Sequence, residues 1–176
     1  ETAGHIPVHI QIILVVLLAK PMGDLRPIGL PPSIYILRGK CRRPYAAQWE
    51  IDNDRKFFAG SKGTSAIENV WRQAARAEAG HATGEVAVTV LWDLVKYYET
   101  ILPPRLLEAG ERPVFPMQIL RICINMYCGG RHIQMHNMIK GPFYATRGIT
   151  AGCPFAATCT MVYTIEPLDT LRLPST

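Results

Sequence analysis

Asp93 is the residue of this sequence whose position suggests metal chemistry. It ends an apolar, β-branched run at residues 85–92 (EVAVTVLW), which has the composition of a buried strand. A carboxylate at the end of such a strand is costly unless something binds it. The aromatic residues Tyr97 and Tyr98 follow closely. On this stretch alone two interpretations stay open: Asp93 holds a divalent metal beside a pocket shaped by Tyr98, or Asp93 caps the next turn.

Two cations flank a turn near the start of the chain. Residues 10–19 (IQIILVVLLA) are the most apolar stretch and predict a buried strand, because they are shorter than the roughly 20 residues of a membrane-spanning helix. Residues 20–24 give a turn signal, and residues 26–30 predict a returning strand that Pro27 places at a sheet edge. The predicted hairpin therefore carries Lys20 on one side of its turn and Arg26 on the other.

A basic surplus is concentrated in residues 20–62, which hold nine Lys or Arg and four acids, a difference equal to the +5 net charge of the whole chain. A helix is predicted from Ser33 to about Trp49, with Ile34, Leu37 and Cys41 on its buried face. Its other face carries four cations: Arg38, Lys40, Arg42 and Arg43. Such a surface suits a polyanion such as nucleic acid or a nucleotide phosphate, although an ordinary solvated surface stays an alternative.

The following elements frame the Asp93 stretch. Ser65 and Glu68 have capping-box spacing at the start of a second helix, which Gly80 and Gly84 close and whose predicted buried stripe is Ile67, Val70, Trp71 and Ala74. Further helices are predicted over residues 103–109 and 113–128. The second of these has predicted buried cysteines at 123 and 128 and carries on one face Ile119, Ile122, Cys123 and Met126. A β-hairpin that turns at residues 140–142 then leads into a glycine-bearing loop at 147–154. A last helix starts near Pro154.

Composition indicates about one globular domain: 176 residues, 48% hydrophobic and 19% charged. Five cysteines, an odd number without a regular framework, favour a reducing, intracellular setting. Zinc at His132, His136 and Cys128 is conceivable, but no second ligand pair has zinc-finger spacing. We favour packing or surface histidines instead.

The ordered set of motifs resembles the reverse transcriptases, in particular those of non-long-terminal-repeat retrotransposons and group II introns. Residues 20–30 (KPMGDLRPIGL) are similar to their fingers motif, and residues 60–65 (GSKGTS) fit the segment ahead of the palm. Residues 93–99 (DLVKYYE) look like the palm pattern Asp-x-x-Lys-Ala-Phe-Asp. Residues 147–156 (RGITAGCPFA) look like Arg-Gly-Val-Arg-Gln-Gly-Cys-Pro-Leu-Ser. The likeness spans nearly the whole chain.

The resemblance implies an α+β, right-hand polymerase fold, with fingers at residues 1–84 and a partial palm at 85–176. It implies metal-dependent, RNA-templated DNA synthesis with Mg²⁺ or Mn²⁺, an RNA template, a DNA primer and deoxynucleoside triphosphates. It implies that the protein is located inside the cell, the nucleus included, and that it has no membrane partner. The resemblance implies that Asp93 and the Leu94 carbonyl hold metal, and that the triphosphate is held by Lys20 and Arg26. It implies that Tyr98 selects the deoxyribose and that the nucleotide lies against Ala151 and Gly152. The residues implied to bind the template are Arg38, Lys40, Arg42 and Arg43.

The chain also departs from the family pattern. Ala151 stands where the family usually has Gln, Ala156 where it has Ser, and Glu99 where it has Asp. No Asp-Asp pair occurs, although the family carries an aromatic-x-Asp-Asp turn after the helix that follows the glycine loop. We therefore expect a fragment that lacks this turn and the thumb, and that is inactive alone. The alternatives are a catalytically dead nucleic-acid-binding remnant and an unrelated phosphate-binding α+β domain.

Overall fold

The computed structural model describes residues 4–21, 23–55, 57–58, 65–86, 88 and 94–171. Within these residues, the strands and helices follow one another along the chain in a mixed α+β order. They are β1 (Ile12–Ala19), β2 (Leu25–Leu30), α1 (Ser33–Asp52), α2 (Ala66–Thr83), α3 (Tyr97–Thr100), α4 (Pro103–Glu111), α5 (Met117–Tyr127), β3 (Gly130–Met135), β4 (Met138–Tyr144) and α6 (Ala156–Asp169). The expected α+β class is therefore confirmed.

The strands form one mixed sheet in the order β2-β1-β3-β4. β2 returns antiparallel to β1, so that Val15 faces Gly29 and Leu17 faces Pro27. β2 lies at the sheet edge, where the missing N–H of Pro27 breaks no ladder between two neighbouring strands. β3 joins the other side of β1 in parallel, with Ile13 opposite Arg131. The predicted first hairpin and its edge strand are thus confirmed. The expectation that the first strand is buried is wrong, because Ile13 is the only buried residue of β1.

The chain divides into two compact units. The first contains residues 1–47 and 96–176, hence the sheet, most of α1 and α3 to α6. The second contains residues 48–95 and includes α2. These boundaries do not coincide with the fingers and palm boundary that the resemblance suggests at residue 84.

The core of the first unit lies among α4, α5 and α6. The predicted apolar face of α5 is confirmed, and its members are buried: Ile119, Ile122, Cys123 and Met126. Leu106 from α4 and Val162 from α6 are buried too, and α4 contacts both neighbouring helices. α1 approaches closely through Gly39, where an added Cβ would lie 2.7 Å from the Pro154 ring.

The predicted buried face of α1 is wrong. Ile34 and Leu37 are 57% and 58% exposed, and Cys41 is exposed as well. The buried side instead carries Tyr35, Gly39 and Ala46. Small and aromatic residues give a weak hydropathy signal, and the close approach of Gly39 to Pro154 decides which side of the helix faces the core.

The α2 stripe and the hairpin turn need correction as well. Ser65 accepts a hydrogen bond from the Glu68 backbone N–H at 3.0 Å, and Gly84 ends α2 in the left-handed region, so the predicted helix ends are confirmed. The predicted stripe is wrong, because all its members are exposed: Ile67, Val70, Trp71 and Ala74.

The second hairpin turns at residues 136–137, not 140–142, which lie inside β4.

Two further expectations concern the Asp93 strand and the membrane. Most of the predicted strand at residues 85–92 lies outside the described residues, and Val86 and Val88, which are described, are 90% and 77% exposed. In the part of the chain that the structure describes, no helix is long and apolar enough to cross a membrane.

Candidate functional site

A cleft of about 630 Å³ opens in the first unit between the β1–β2 hairpin, the start of α3 and the glycine loop. Its walls bring together five residues singled out from the sequence: Lys20, Arg26, Tyr98, Ala151 and Gly152. These residues come from three motifs separated by more than 40 residues of sequence. The chain therefore folds so that three distant motifs share one surface.

The hairpin places its two cations at the cleft through strand pairing and a closed turn. Arg26 pairs with Leu18 near the end of β1, and the Lys20 backbone N–H donates to the Asp24 carbonyl oxygen at 2.7 Å. The Lys20 ammonium also donates to the Asp24 carboxylate at 2.8 Å. This bond holds the pKa of Asp24 below its ordinary value. Asp24 thus holds Lys20 at the cleft while partly neutralising it.

Tyr98 is fixed to the glycine loop by the backbone. The Ile149 N–H donates to the Tyr98 carbonyl oxygen at 2.8 Å, and the Gly148 N–H donates to the Ile101 carbonyl oxygen at 2.7 Å. Gly148 has φ 91°, a left-handed conformation in which a side chain is strained, and a Cβ added there would lie 3.2 Å from the Glu99 Cα. The half-buried Tyr98 ring and the loop therefore form one wall of the cleft.

Gly152 is required by packing within the fold. A Cβ added there would overlap the Gly29 carbonyl oxygen, and a Cβ added at Gly29 would overlap the Thr150 methyl group. The two glycines let β2 and the loop approach to backbone contact. The resemblance assigns Gly152 to the approach of the nucleotide, whereas the structure gives this glycine a role in closing the floor of the cleft.

Two cations in the cleft were not singled out from the sequence. Lys96 precedes α3 with φ 51°, an uncommon conformation for a residue with a side chain, and Arg131 projects from β3. Among the residues that the structure describes, the cleft then holds four cations against the two carboxylates Asp24 and Glu99. Lys96 occupies the Lys position of the Asp-x-x-Lys pattern, which could have identified it. Arg131 gave no such signal, because only the parallel pairing of β1 with β3 places it at the cleft.

The basic face of α1 does not behave as one surface. Arg43 donates to the Thr158 hydroxyl at 3.0 Å, and the Arg42 guanidinium lies 5.7 Å from the Tyr45 ring centre. Arg38 and Arg42 line a separate, mainly apolar groove of about 560 Å³. Lys40 is exposed. Template binding by these four residues stays a prediction.

The metal site implied by the resemblance lies largely outside the described residues, because Asp93 is not among them. Leu94 is 58% exposed and belongs to the second unit. Among the residues that the structure does describe, no group of three or more His, Cys, Asp or Glu side chains could hold a metal ion.

A buried cluster of phenols and thiols lies behind the glycine loop. The Tyr35 hydroxyl is 3.3 Å from the Cys123 sulfur and 3.0 Å from the Cys153 sulfur. Burial raises the pKa of both thiols and of the Tyr35 hydroxyl, so all three stay protonated at neutral pH. Tyr35 therefore ties the loop residue Cys153 to α1 and α5. Cys128, predicted buried, is exposed because it follows the last turn of α5.

Comparison with known proteins adds no assignment: no family model matches the sequence, and no curated protein matches it.

Proposed function

We propose that this chain is the nucleotide-binding part of a reverse transcriptase, comprising fingers and a partial palm of a right-hand polymerase. The observation that carries the proposal is the cleft itself. It collects the cations of the fingers-like motif, the tyrosine of the palm-like motif and the glycine loop, all in the first unit. The resemblance predicted these residues from separate stretches of sequence, and the fold places them around a single opening.

The charge of the cleft suits a triphosphate. Among the cleft residues whose placement is described, four cations face two carboxylates, and one of these carboxylates, Asp24, is already bonded to Lys20. Arg26 and Lys96 are exposed at the walls and can bind phosphate oxygens, because guanidinium and ammonium groups form strong charge-assisted hydrogen bonds with phosphate. Phosphoryl transfer depends mainly on this kind of positioning and charge neutralisation.

The part of the cleft at Tyr98 suits a sugar. Tyr98 is half-buried, and its carbonyl oxygen is held by the Ile149 N–H, so its backbone is coupled to the glycine loop. A fixed aromatic ring beside a nucleotide sugar can stack on the deoxyribose and leave no space for a 2′-hydroxyl. On the resemblance, we also assign Mg²⁺ or Mn²⁺ to Asp93 and the Leu94 carbonyl, where the ion would neutralise charge during nucleotide transfer.

Nucleotide binding tests the proposal directly. The wild-type chain is titrated with dATP and ATP by calorimetry, beside Lys20→Ala and Arg26→Gln. The matched controls are Lys140→Ala on β4 and Arg121→Gln on α5, which remove the same charges outside the cleft. We expect each cleft variant to weaken dATP binding about tenfold, the value of one charge-assisted hydrogen bond, and each control less than twofold.

Tyr98→Ala tests the sugar contact separately. We expect the wild type to bind dATP more tightly than ATP, and the variant to bind the two equally. Equal loss of dATP affinity in the cleft variants and in the charge controls would argue against a built nucleotide site.

A catalytically dead remnant is the second candidate, favoured by Ala151 and Ala156 at positions where the family has Gln and Ser. It predicts binding of primer-template without binding of dATP. On either candidate the chain alone, given Mn²⁺, primer-template and deoxynucleotides, should give no extension, because the Asp-Asp turn is absent from this sequence. Robust synthesis would refute that expectation.

A further inference from the structure

Arg131 is a cation at the cleft that no motif predicts. It lies on β3 opposite Ile13, and its side chain is half-buried at the cleft wall. Its Nη2 group donates to the Tyr127 carbonyl oxygen at 3.1 Å and to the Gly148 carbonyl oxygen at 3.2 Å. One side chain thus connects the end of α5 to the glycine loop.

The charge of Arg131 is incompletely compensated. Within the residues that the structure describes, its buried Nε–H has no acceptor, and both bonds of the guanidinium go to neutral carbonyl oxygens. Burial lowers the pKa of Arg131, as expected where no nearby carboxylate stabilises the charged form. A partly buried cation in this state is costly unless an anion binds it. Of the two carboxylates that the structure describes at the cleft, Asp24 is bonded to Lys20.

The position of Arg131 also links the cleft to the tyrosine wall. Gly148, which accepts from Arg131, donates through its own N–H to Ile101, and the next residue, Ile149, donates to Tyr98. A change in the Arg131 guanidinium therefore acts directly on the loop that holds Tyr98.

We propose that Arg131 binds the phosphate chain of the nucleoside triphosphate and, by holding the Gly148 carbonyl, positions the loop behind Tyr98. The Nη2 group makes the loop contact, and the side of the planar guanidinium that is open to the cleft binds phosphate oxygen. Arg131 joins Lys20, Arg26 and Lys96 as a fourth phosphate-binding cation. The identity of the ligand rests on the function proposed above, whereas the anion site rests on the geometry of Arg131.

The test measures binding of inorganic tripolyphosphate, dTTP and dTDP to the full chain by calorimetry. The variants are Arg131→Gln and Arg131→Lys. The control is Arg105→Gln, which removes the same charge from an exposed arginine on α4, outside the cleft. We expect Arg131→Gln to weaken dTTP and tripolyphosphate about tenfold, Arg131→Lys about threefold, and Arg105→Gln less than twofold.

The preference for dTTP over dTDP separates phosphate binding from a general loss of structure. Removal of a phosphate contact should reduce this preference, whereas a distorted cleft should weaken both ligands together. Thermal unfolding of each variant is followed by circular dichroism. If Arg131→Gln does not fold, the preference of Arg131→Lys for dTTP over dTDP decides the test, since this variant keeps the charge and loses the planar guanidinium.

The outcomes separate this inference from the proposed function. Unchanged dTTP binding in Arg131→Gln, with losses in Lys20→Ala and Arg26→Gln, would overturn the role of Arg131 and leave the proposed function standing. A tenfold loss of tripolyphosphate binding in Arg131→Gln, with no gain in affinity from the nucleoside, would support the anion site and overturn the nucleotide assignment. No binding of any of the three ligands by the wild type would overturn both.

Discussion

The close contact between β2 and the glycine loop at the cleft predicts that Thr150→Ser restores the stability lost in Gly29→Ala. Gly29→Ala adds a Cβ that overlaps the methyl group of Thr150. The Ile13 methyl group, at 3.3 Å, is a tight contact that must shift slightly, and the Thr150 Cβ, at 3.5 Å, is an ordinary van der Waals contact. The φ of Gly29 lies outside the left-handed region, so alanine is free of backbone strain there. One methyl group of Thr150 therefore accounts for most of the conflict.

The size of the stability loss in Gly29→Ala follows from overpacking. An extra methyl group in a packed site costs typically about 1–3 kcal/mol. For a chain of this length, each kcal/mol corresponds to about 2–4 °C in Tm, so Gly29→Ala should lower Tm by about 2–12 °C. Thr150→Ser alone removes one buried methyl group and should cost about 0.5–1.5 kcal/mol. The double variant should be about as stable as Thr150→Ser alone, a clear departure from additivity.

Urea and thermal unfolding of the four proteins in this cycle measure the coupling. Gly152→Ala is the matched control, because its Cβ would overlap a backbone carbonyl oxygen, which Thr150→Ser cannot move. We expect no rescue of Gly152→Ala by Thr150→Ser. Additive losses in Gly29→Ala with Thr150→Ser, or equal rescue of both glycine variants, would refute the assigned contact.

Two further predictions concern titratable groups. A thiol reagent such as DTNB should label two cysteines, Cys41 and Cys128, in the native chain and all five after unfolding, because the other three are buried; rapid labelling of more than two native thiols would contradict this. The bond with Lys20 lowers the pKa of Asp24 in the folded state below its ordinary 3.8, so the stabilisation is fully present above pH 3.8 and is lost as pH falls through the folded pKa. The stability difference between wild type and Asp24→Asn should therefore disappear at low pH, and a difference that grows on acidification would rule out this pairing.

Local elements could be predicted from the sequence because their signals lie within a few residues. The Ser65 cap, the Gly84 helix end and the Pro27 edge strand each follow from backbone chemistry at one position. Burial could not be predicted as well. The stripes containing Leu37 and Trp71 have correct helical spacing, yet both residues are exposed, because spacing does not specify which element packs against a helix.

The sequence by itself determined the α+β class, the first hairpin with Lys20 and Arg26, and the glycine loop, since turn residues and periodicity act locally. Only the tertiary structure decided that these pieces surround one cleft. It also decided that Arg131 belongs there, because the parallel pairing of β1 with β3 joins residues more than 100 positions apart. Gly152 shows both kinds of information. Its place in the loop can be predicted from the neighbouring sequence, but the requirement for glycine comes from the Gly29 carbonyl oxygen of a strand distant in sequence.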